Sequence, residues 1–311
     1  MKNPLTLKIR SRLDCLCDFT YNFYWQHKGS ELDPDAPIKE QVNSNYSYRD
    51  LVEHLRSDCD VHITDNVGSR LASSLGVDLK YFGGNGKALD AGSIYIDGDV
   101  GTRMGISMLA GLIYVSGNVS EPMGNIVEVN SDASGYRCFR SITDILHNGL
   151  NANELYDSRN SYQDGETPIL ELADNILRDT IGARCVKDAI IKVEGDVSLS
   201  TGILMQKGII EVDGNAGMNT ATLLAGGTVV VRGSNGEFGA AGMRSGNLII
   251  TGKTGGYICA NMRGGAVFVK ADIKVIPPAS KSQPSSGDLK MLIQILETNR
   301  FDAMSYRKYS V

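Results

Sequence analysis

Little in this chain of 311 residues points outside itself. No stretch approaches the roughly 18 apolar residues of a membrane span. The N-terminus, Met1-Lys2-Asn3-Pro4-Leu5, lacks the apolar core of a signal peptide. Lys and Arg do not outnumber Asp and Glu; the formal net charge is −5, which leaves no basic footprint for nucleic acid. Six cysteines in a chain of this length do not suggest a disulfide framework, so reduced thiols and a cytoplasmic location are expected. Only four histidines are present, and there is a single tryptophan.

Glycine, by contrast, recurs at a fixed step. Gly195, Gly214, Gly233 and Gly252 lie nineteen residues apart, as do Gly208, Gly227, Gly246 and Gly265. Aliphatic columns keep the same step: Ile191, Ile210, Val229, Leu248, Val267 and Val193, Val212, Val231, Ile250, Val269. A third column reads Met205, Leu224, Met243, Met262. Upstream, Gly92/Gly111, Gly98/Gly117 and Gly105/Gly124 repeat it again. A period of about 20 residues marks a stacked solenoid, whose repeats bury their apolar faces only against their neighbours.

Each repeat opens with the period-2 alternation of a half-buried strand, as in Ile191-Lys192-Val193. A glycine followed by Asp, Asn or Ser then supplies turn chemistry, with φ > 0 available to glycine at no steric cost. Nineteen residues trace about 60 Å, enough for one three-sided coil, and equivalent positions stack about 4.8 Å apart. A parallel β-helix is expected, with the aliphatic and Met/Leu columns inside and glycines at corners such as Gly214 and Gly233. The alternative makes Gly83-Gly84-Asn85-Gly86 or Gly214-Asn215-Ala216-Gly217 a phosphate cradle. That fingerprint needs a helix opening on the third glycine, and none follows.

Interruptions set the organisation. Residues 1–60 form an α/β cap, with Leu5, Leu7 and Ile9 alternating as a strand. Ser47 and Asp50 make a capping box for a helix carrying Tyr48, Leu51, Val52 and Leu55. The first part of the β-helix covers 61–129 and the second 189–275. Between them, 130–188 reads as a helical insert. One helix runs from Ser141 to Gly149; a second runs from Thr167 (N-cap) and Pro168 to Gly182, with Leu170, Ala173 and Leu177 on one stripe. Pro277 and Pro278 end the sheet. In 276–311 a polar linker, Ser280 to Gly287, precedes an amphipathic helix with Leu289, Leu292, Ile293 and Leu296 on its apolar face. That helix either caps the open end of the solenoid or serves as a docking arm.

The repeat from Gly208 through Gly217 and on through Leu224-Ala225-Gly226-Gly227 to Gly233 resembles the glycine-repeat domain of two families. They are the glycine-repeat subunit of formylmethanofuran dehydrogenase and the C-terminal domain of the large glutamate synthase subunit. The resemblance covers about 61–129 and 189–271. It implies a right-handed β-helix without catalytic residues of its own, packed against catalytic subunits. Met108, Met205, Met243 and Met262 are similar to the habit of the first family, as is the tail from Phe301 to Tyr309. The chain also carries no attached amidotransferase or flavin domain. That side of the resemblance implies an archaeal oxidoreductase complex of one-carbon metabolism and methanogenesis, with any metal or flavin on the partner and no cofactor in this chain. The N-terminal sixty residues and the insert belong to neither pattern.

Catalytic candidates are thin, and no catalytic, cofactor-binding or metal residue is assigned. Gly105-Ile106-Ser107-Met108-Leu109 lacks the second glycine of a nucleophile elbow, so Ser107 reads as a turn or wall residue. His27, His54, His62 and His147 show no metal-binding pair. Cys15 and Cys17, with Cys59 and Cys185, would need a second close pair to make a thiolate site, and free cysteines are often small buried hydrophobes. Phe19, Tyr21, Phe23, Tyr24 and Trp25 crowd into seven residues; they are read as exposed, either anchoring an interface or plugging the solenoid. Partners are expected to be protein subunits of a larger complex or further copies of the chain. Two other readings stay open: a stand-alone glutamate synthase glycine-repeat domain, and an esterase-like enzyme with its pocket at the insert.

Overall fold

The computed structural model describes residues 4–21, 33–80, 83–151 and 154–311. The chain is a β-solenoid of about nine turns at the expected nineteen-residue spacing. It divides into two compact units, Met1–Tyr162 with Ile176–Ala183, and Gln163–Asn175 with Arg184–Val311.

In the first unit, β1 (Leu5–Lys8), β2 (Val61–Thr64), β3 (Ile94–Asp97) and β4 (Leu112–Val115) stack in parallel. Leu7, Ile63, Ile96 and Val115 lie in register and are buried, so alternate residues of each strand fill one continuous interior. Helix α1 (Tyr48–Arg56) starts at Ser47 with both halves of the capping box formed, and buries Leu51, Val52 and Leu55. A hairpin of β5 (Ile126–Val129) and β6 (Arg137–Ser141) turns through Gly135 at φ 83° and pairs antiparallel to β4. It ends the parallel ladder by covering an edge that would otherwise pair with another chain. Helix α2 (Ile142–Asn148) follows, with Ser141 as its N-cap and Gly149 after its last turn, as expected. Strand β7 (Ser161–Gln163) carries the chain onward.

The second expected helix, Thr167 to Gly182, is absent. Residues Ile169–Leu172 instead form strand β8, in which Leu170 pairs in register with Ile191 and Leu172 with Val193. The stripe of Leu170 and Ala173 mimics helical spacing, whereas burial of Leu170 and Leu172 follows period 2. Asn175 at φ 61° and Thr180 at φ 57° adopt left-handed backbone that an α-helix cannot contain.

From β8, the second unit continues with β9 (Ile190–Val193), β10 (Ile209–Val212), β11 (Ala225–Val231), β12 (Ser245–Ile250) and β13 (Ala266–Val269), all parallel. The inward columns are those read from the sequence, and Met205, Leu224, Met243 and Met262 are enclosed. Only one side of each coil is regular strand. A second side holds isolated bridges that join Val197, Ala216, Asn235 and Thr254.

The third side uses left-handed residues two apart in each coil: Asn219, Ala221 and Leu223, then Phe238, Ala240 and Gly242. The N–H of Asn219 bonds forward to Glu237 O, that of Ala221 back to Thr201 O, and that of Leu223 forward again to Ala241 O. Alternation of backbone handedness flips successive peptides, so donors point alternately up and down the stack and every coil is tied to both neighbours.

The corner glycines fall into two groups. Gly195, Gly208, Gly227, Gly246 and Gly265 have positive φ, between 74° and 94°. Gly214, Gly233 and Gly252 do not, which corrects the expectation that Gly214 and Gly233 supply φ > 0. A Cβ at Gly214 would lie 2.4 Å from Gly195 O, and one at Gly233 would lie 2.5 Å from Gly214 O. These positions exclude a side chain because the neighbouring coil's backbone already fills its place.

The C-terminal segment contains β14 (Ser280–Ser282), α3 (Ser286–Leu296), α4 (Arg300–Met304) and β15 (Arg307–Ser310). Strand β15 pairs antiparallel with β13 and closes the edge. Helix α3, started by a Ser285/Asp288 capping box, lies on the outer face of the sheet. Leu292 and Leu296 pack there with Val230, Ile249 and Phe268. The cap expected of the helix is therefore supplied by a strand. The outward column explains where the helix lands: Glu171, Lys192 and Glu211 give way in register to Val230, Ile249 and Phe268.

Candidate functional site

A solenoid filled by its own side chains can act only through its outside, so the chemically capable residues are followed there. Ser107 sits in left-handed backbone at φ 52°, and its N–H donates to Thr180 Oγ1 at 2.9 Å. Among the described residues no hydrogen bond links its hydroxyl to a base. It is a turn residue, as its sequence context suggested.

The histidines stand on different elements. His54 lies on α1 with Nε2 buried and without an acceptor among the described residues. His62 lies on β2, His147 ends α2, and His27 falls outside the described residues.

Cys15, Cys17, Cys59, Cys138, Cys185 and Cys259 are all buried and reduced. Burial raises the thiols of Cys17 and Cys185, and pushes Cys138 to about 11 and Cys259 to about 12. These four are held protonated and behave as small hydrophobes. No three His, Cys, Asp or Glu side chains converge on a metal-sized site among the described residues.

Of the aromatic segment expected to be exposed, Phe19 and Tyr21 are buried instead. Phe19 and Tyr21 belong to the first unit's core, and the Arg49 guanidinium lies 5.2 Å over the Tyr21 ring. They pack inward because their neighbours Leu16 and Cys17 join the same buried stack. Phe23, Tyr24 and Trp25 lie outside the described residues.

An aromatic column missed by sequence reasoning runs along the outer face of β2, β3 and β4. His62, Tyr95 and Tyr114 stack with centroids 4.5 Å apart, close to the strand spacing itself. Tyr136 meets Tyr95 edge-on, and its hydroxyl donates to Asp97, which raises the phenol to about 12. The Tyr114 hydroxyl donates to Asp132 at 2.7 Å. The alternation His62-Ile63 and Tyr95-Ile96 carried the signal, since the residue beside each inward aliphatic must face out.

In the same unit, a cavity of about 600 Å³ is lined by Glu128, Asn130, Tyr136, Arg137 and Tyr156. Arg137 holds Glu128 through two bonds of 2.9 and 2.7 Å. The two parallel bonds fix the orientation of both side chains. Tyr156 projects with 65% of its surface free. In the second unit the apolar residues left outward on α4 are Phe301, at 86%, and Met304, at 58%. The insert and the C-terminal tail thus present free aromatic and apolar side chains, whereas the α3 stripe is already occupied by its own sheet.

No family model matches the chain. An uncharacterized protein of Methanothermobacter thermautotrophicus is 47% identical over 196 residues, which are 63% of this chain and 61% of the relative. The match therefore spans about three fifths of that relative's length. Among solved structures, a chain from the formyltransferase/hydrolase complex (FhcABCD) of Methylorubrum extorquens, in complex with methylofuran, aligns over 98% of this chain and 93% of its own. The identity is 17% and the TM-score 0.34.

Proposed function

We propose that the chain is a non-catalytic β-solenoid scaffold or subunit, similar to the glycine-repeat subunit of formylmethanofuran dehydrogenase, within an archaeal redox complex of one-carbon metabolism. The observation that carries this reading is where the reactive groups lie. The interior columns are packed shut by aliphatic and methionine side chains, and four of the buried thiols are held protonated. Ser107 is tied into a turn. Outside lie the half-buried rings of His62 and Tyr95, the exposed ring of Tyr156, and Phe301 and Met304 on α4, all suited to contact with protein. Metal or flavin, in this reading, sits on the partner subunits.

Purification of the native protein with its neighbours tests the proposal. Recovery with stoichiometric subunits that carry metal or flavin is the expected result. A chain that comes down alone and hydrolyses an ester, amide or formyl substrate, with the rate lost in Ser107→Ala, would overturn it in favour of an enzyme.

A further inference from the structure

An open groove of about 830 Å³ lies on the second unit, beside the left-handed columns. Its charge sets it apart. Arg244 and Arg263, nineteen residues apart and both exposed, line it one coil from each other. No acidic side chain is in the lining, and among the described residues neither arginine has an ion-pair partner. This is a local excess of positive charge on a chain whose net charge is −5.

The lining includes small residues, Ala241, Gly242 and Ala260, which let a backbone approach closely. Phe238, stacked on Tyr257 at 4.9 Å and 9°, forms an apolar wall, and Pro278 also lines the groove. One backbone donor is left over. In the column Leu223, Gly242, Asn261, the first two N–H groups bond to the following coil, at Ala241 O and Ala260 O. Asn261 belongs to the last coil, and its N–H has no acceptor among the described residues.

We propose that this groove seats an extended acidic segment of a partner protein. Two arginines one coil apart, about 4.8 Å, can each take a carboxylate through two parallel hydrogen bonds. In an extended segment, side chains on one face recur about every 6.6 Å, within reach of two flexible arginine stems. The next residue on that same face can meet the Phe238 wall, and a segment carbonyl can accept the Asn261 N–H, as in strand addition at a sheet edge. A lone small anion would use the arginines and leave the wall and that donor unused. The inference rests on the scaffold reading for the existence of a partner, and on the groove's own residues for its chemistry.

The test uses the full chain and a fluorescein-labelled peptide with two glutamates and a leucine at successive alternate positions, followed by fluorescence anisotropy. Saturable binding is expected, weakened about tenfold or more by Arg244→Glu with Arg263→Glu and unchanged by Lys253→Glu outside the groove. Arg263→Gln should weaken it partially, and an unchanged thermal melt for that variant separates lost binding from lost folding. Absent binding, equal binding by the double variant, or full displacement by inorganic phosphate at the peptide's own concentration would each overturn the proposal. If the double variant loses the peptide but still comes down with native partner subunits, the groove is not the docking site and the scaffold reading stands. Peptide binding by a chain that comes down alone leaves the groove in place and removes the scaffold reading.

Discussion

The side-chain oxygen of Asn215 accepts the backbone N–H of Ser234 at 2.9 Å, nineteen residues further along the chain. Asn215 in turn donates its own N–H to Asp196 Oδ1 at 2.7 Å, and Ser234 Oγ accepts from Lys253 N at 3.2 Å. The polar residue after each corner glycine therefore serves the next coil as well as its own turn. Asn66 and Asp99 do the same in the first unit, accepting from Asp99 N and Asn118 N. Asn215→Ala should cost about 0.5–1.5 kcal/mol, the net worth of such a bond. Urea titration of the two proteins checks this, and a variant as stable as the parent would show that water replaces the side chain at no loss.

The two groups of corner glycine should respond differently to alanine. At Gly214 the new Cβ would meet the Gly195 carbonyl at 2.4 Å, an overpacking expected to cost about 1–3 kcal/mol or more. Gly195 has open space around its Cβ position but φ 94°, so alanine there should cost about 1–3 kcal/mol through backbone strain alone. Asparagine, which tolerates left-handed backbone better, should recover part of the loss at Gly195 and none at Gly214. Thermal melts of the four variants decide between the two mechanisms.

Leu224 and Met243 are fully enclosed in one inward column. Replacing either with alanine removes buried methylene groups and leaves a cavity, at about 2–5 kcal/mol. Lys192 faces out and pairs with Glu171 at 3.1 Å, both groups largely in water. Lys192→Ala should stay within about 0.5 kcal/mol of the parent. Comparable losses in the two sets, measured by denaturant unfolding, would reverse inside and outside.

Burial pushes the Asp18 carboxyl up to about 7, although hydrogen bonds from the Thr20 hydroxyl and N–H and the charge of Arg70 oppose the rise. The folded value then lies above the unfolded one of about 3.9. Between the two, the folded chain keeps a proton that the unfolded chain has released, so this group makes stability fall as pH rises through that window. Asp18→Asn keeps an oxygen for Thr20 and should flatten that limb of the stability–pH curve. An unchanged slope in the variant would place the titration elsewhere.

The glycine step and the aliphatic alternation make the coils legible in the residues alone, because in a solenoid one position's environment repeats in every turn. Residues 167–182 escape that logic. There the step from Leu170 to Ile191 stretches to twenty-one, and a proline follows a threonine. The first breaks the repeat and the second is the sign of a helix start, in a segment whose neighbours impose a strand. The left-handed columns are hidden for another reason. Phe238, Tyr257 and Leu223 adopt φ of 59°, 58° and 56°, values that their side chains do not advertise and that the stacking of coils imposes. Arg244 and Arg263 keep the nineteen-residue step, but the rest of their groove is hidden because its lining comes from three coils and Pro278. The aromatic column from His62 to Tyr114 and the switch from Glu211 to Val230 are readable in the residues between the inward positions, and they identify the faces that matter.

That switch also sets a count. Three successive strands present Val230, Ile249 and Phe268 to the outside, a width of about 10 Å at the normal spacing. Helix α3, with eleven residues, is about 16 Å long, enough to shelter those three strands. Duplicating a coil on the charged side, near Lys192, would lengthen the stack and leave the shelter intact. Duplicating one at Ile249 would widen the apolar strip to about 14 Å and use up most of the helix's length. Whole-coil insertions are thereby free of this constraint on the charged side of Val230, whereas among the C-terminal three turns the helix leaves room for one at most.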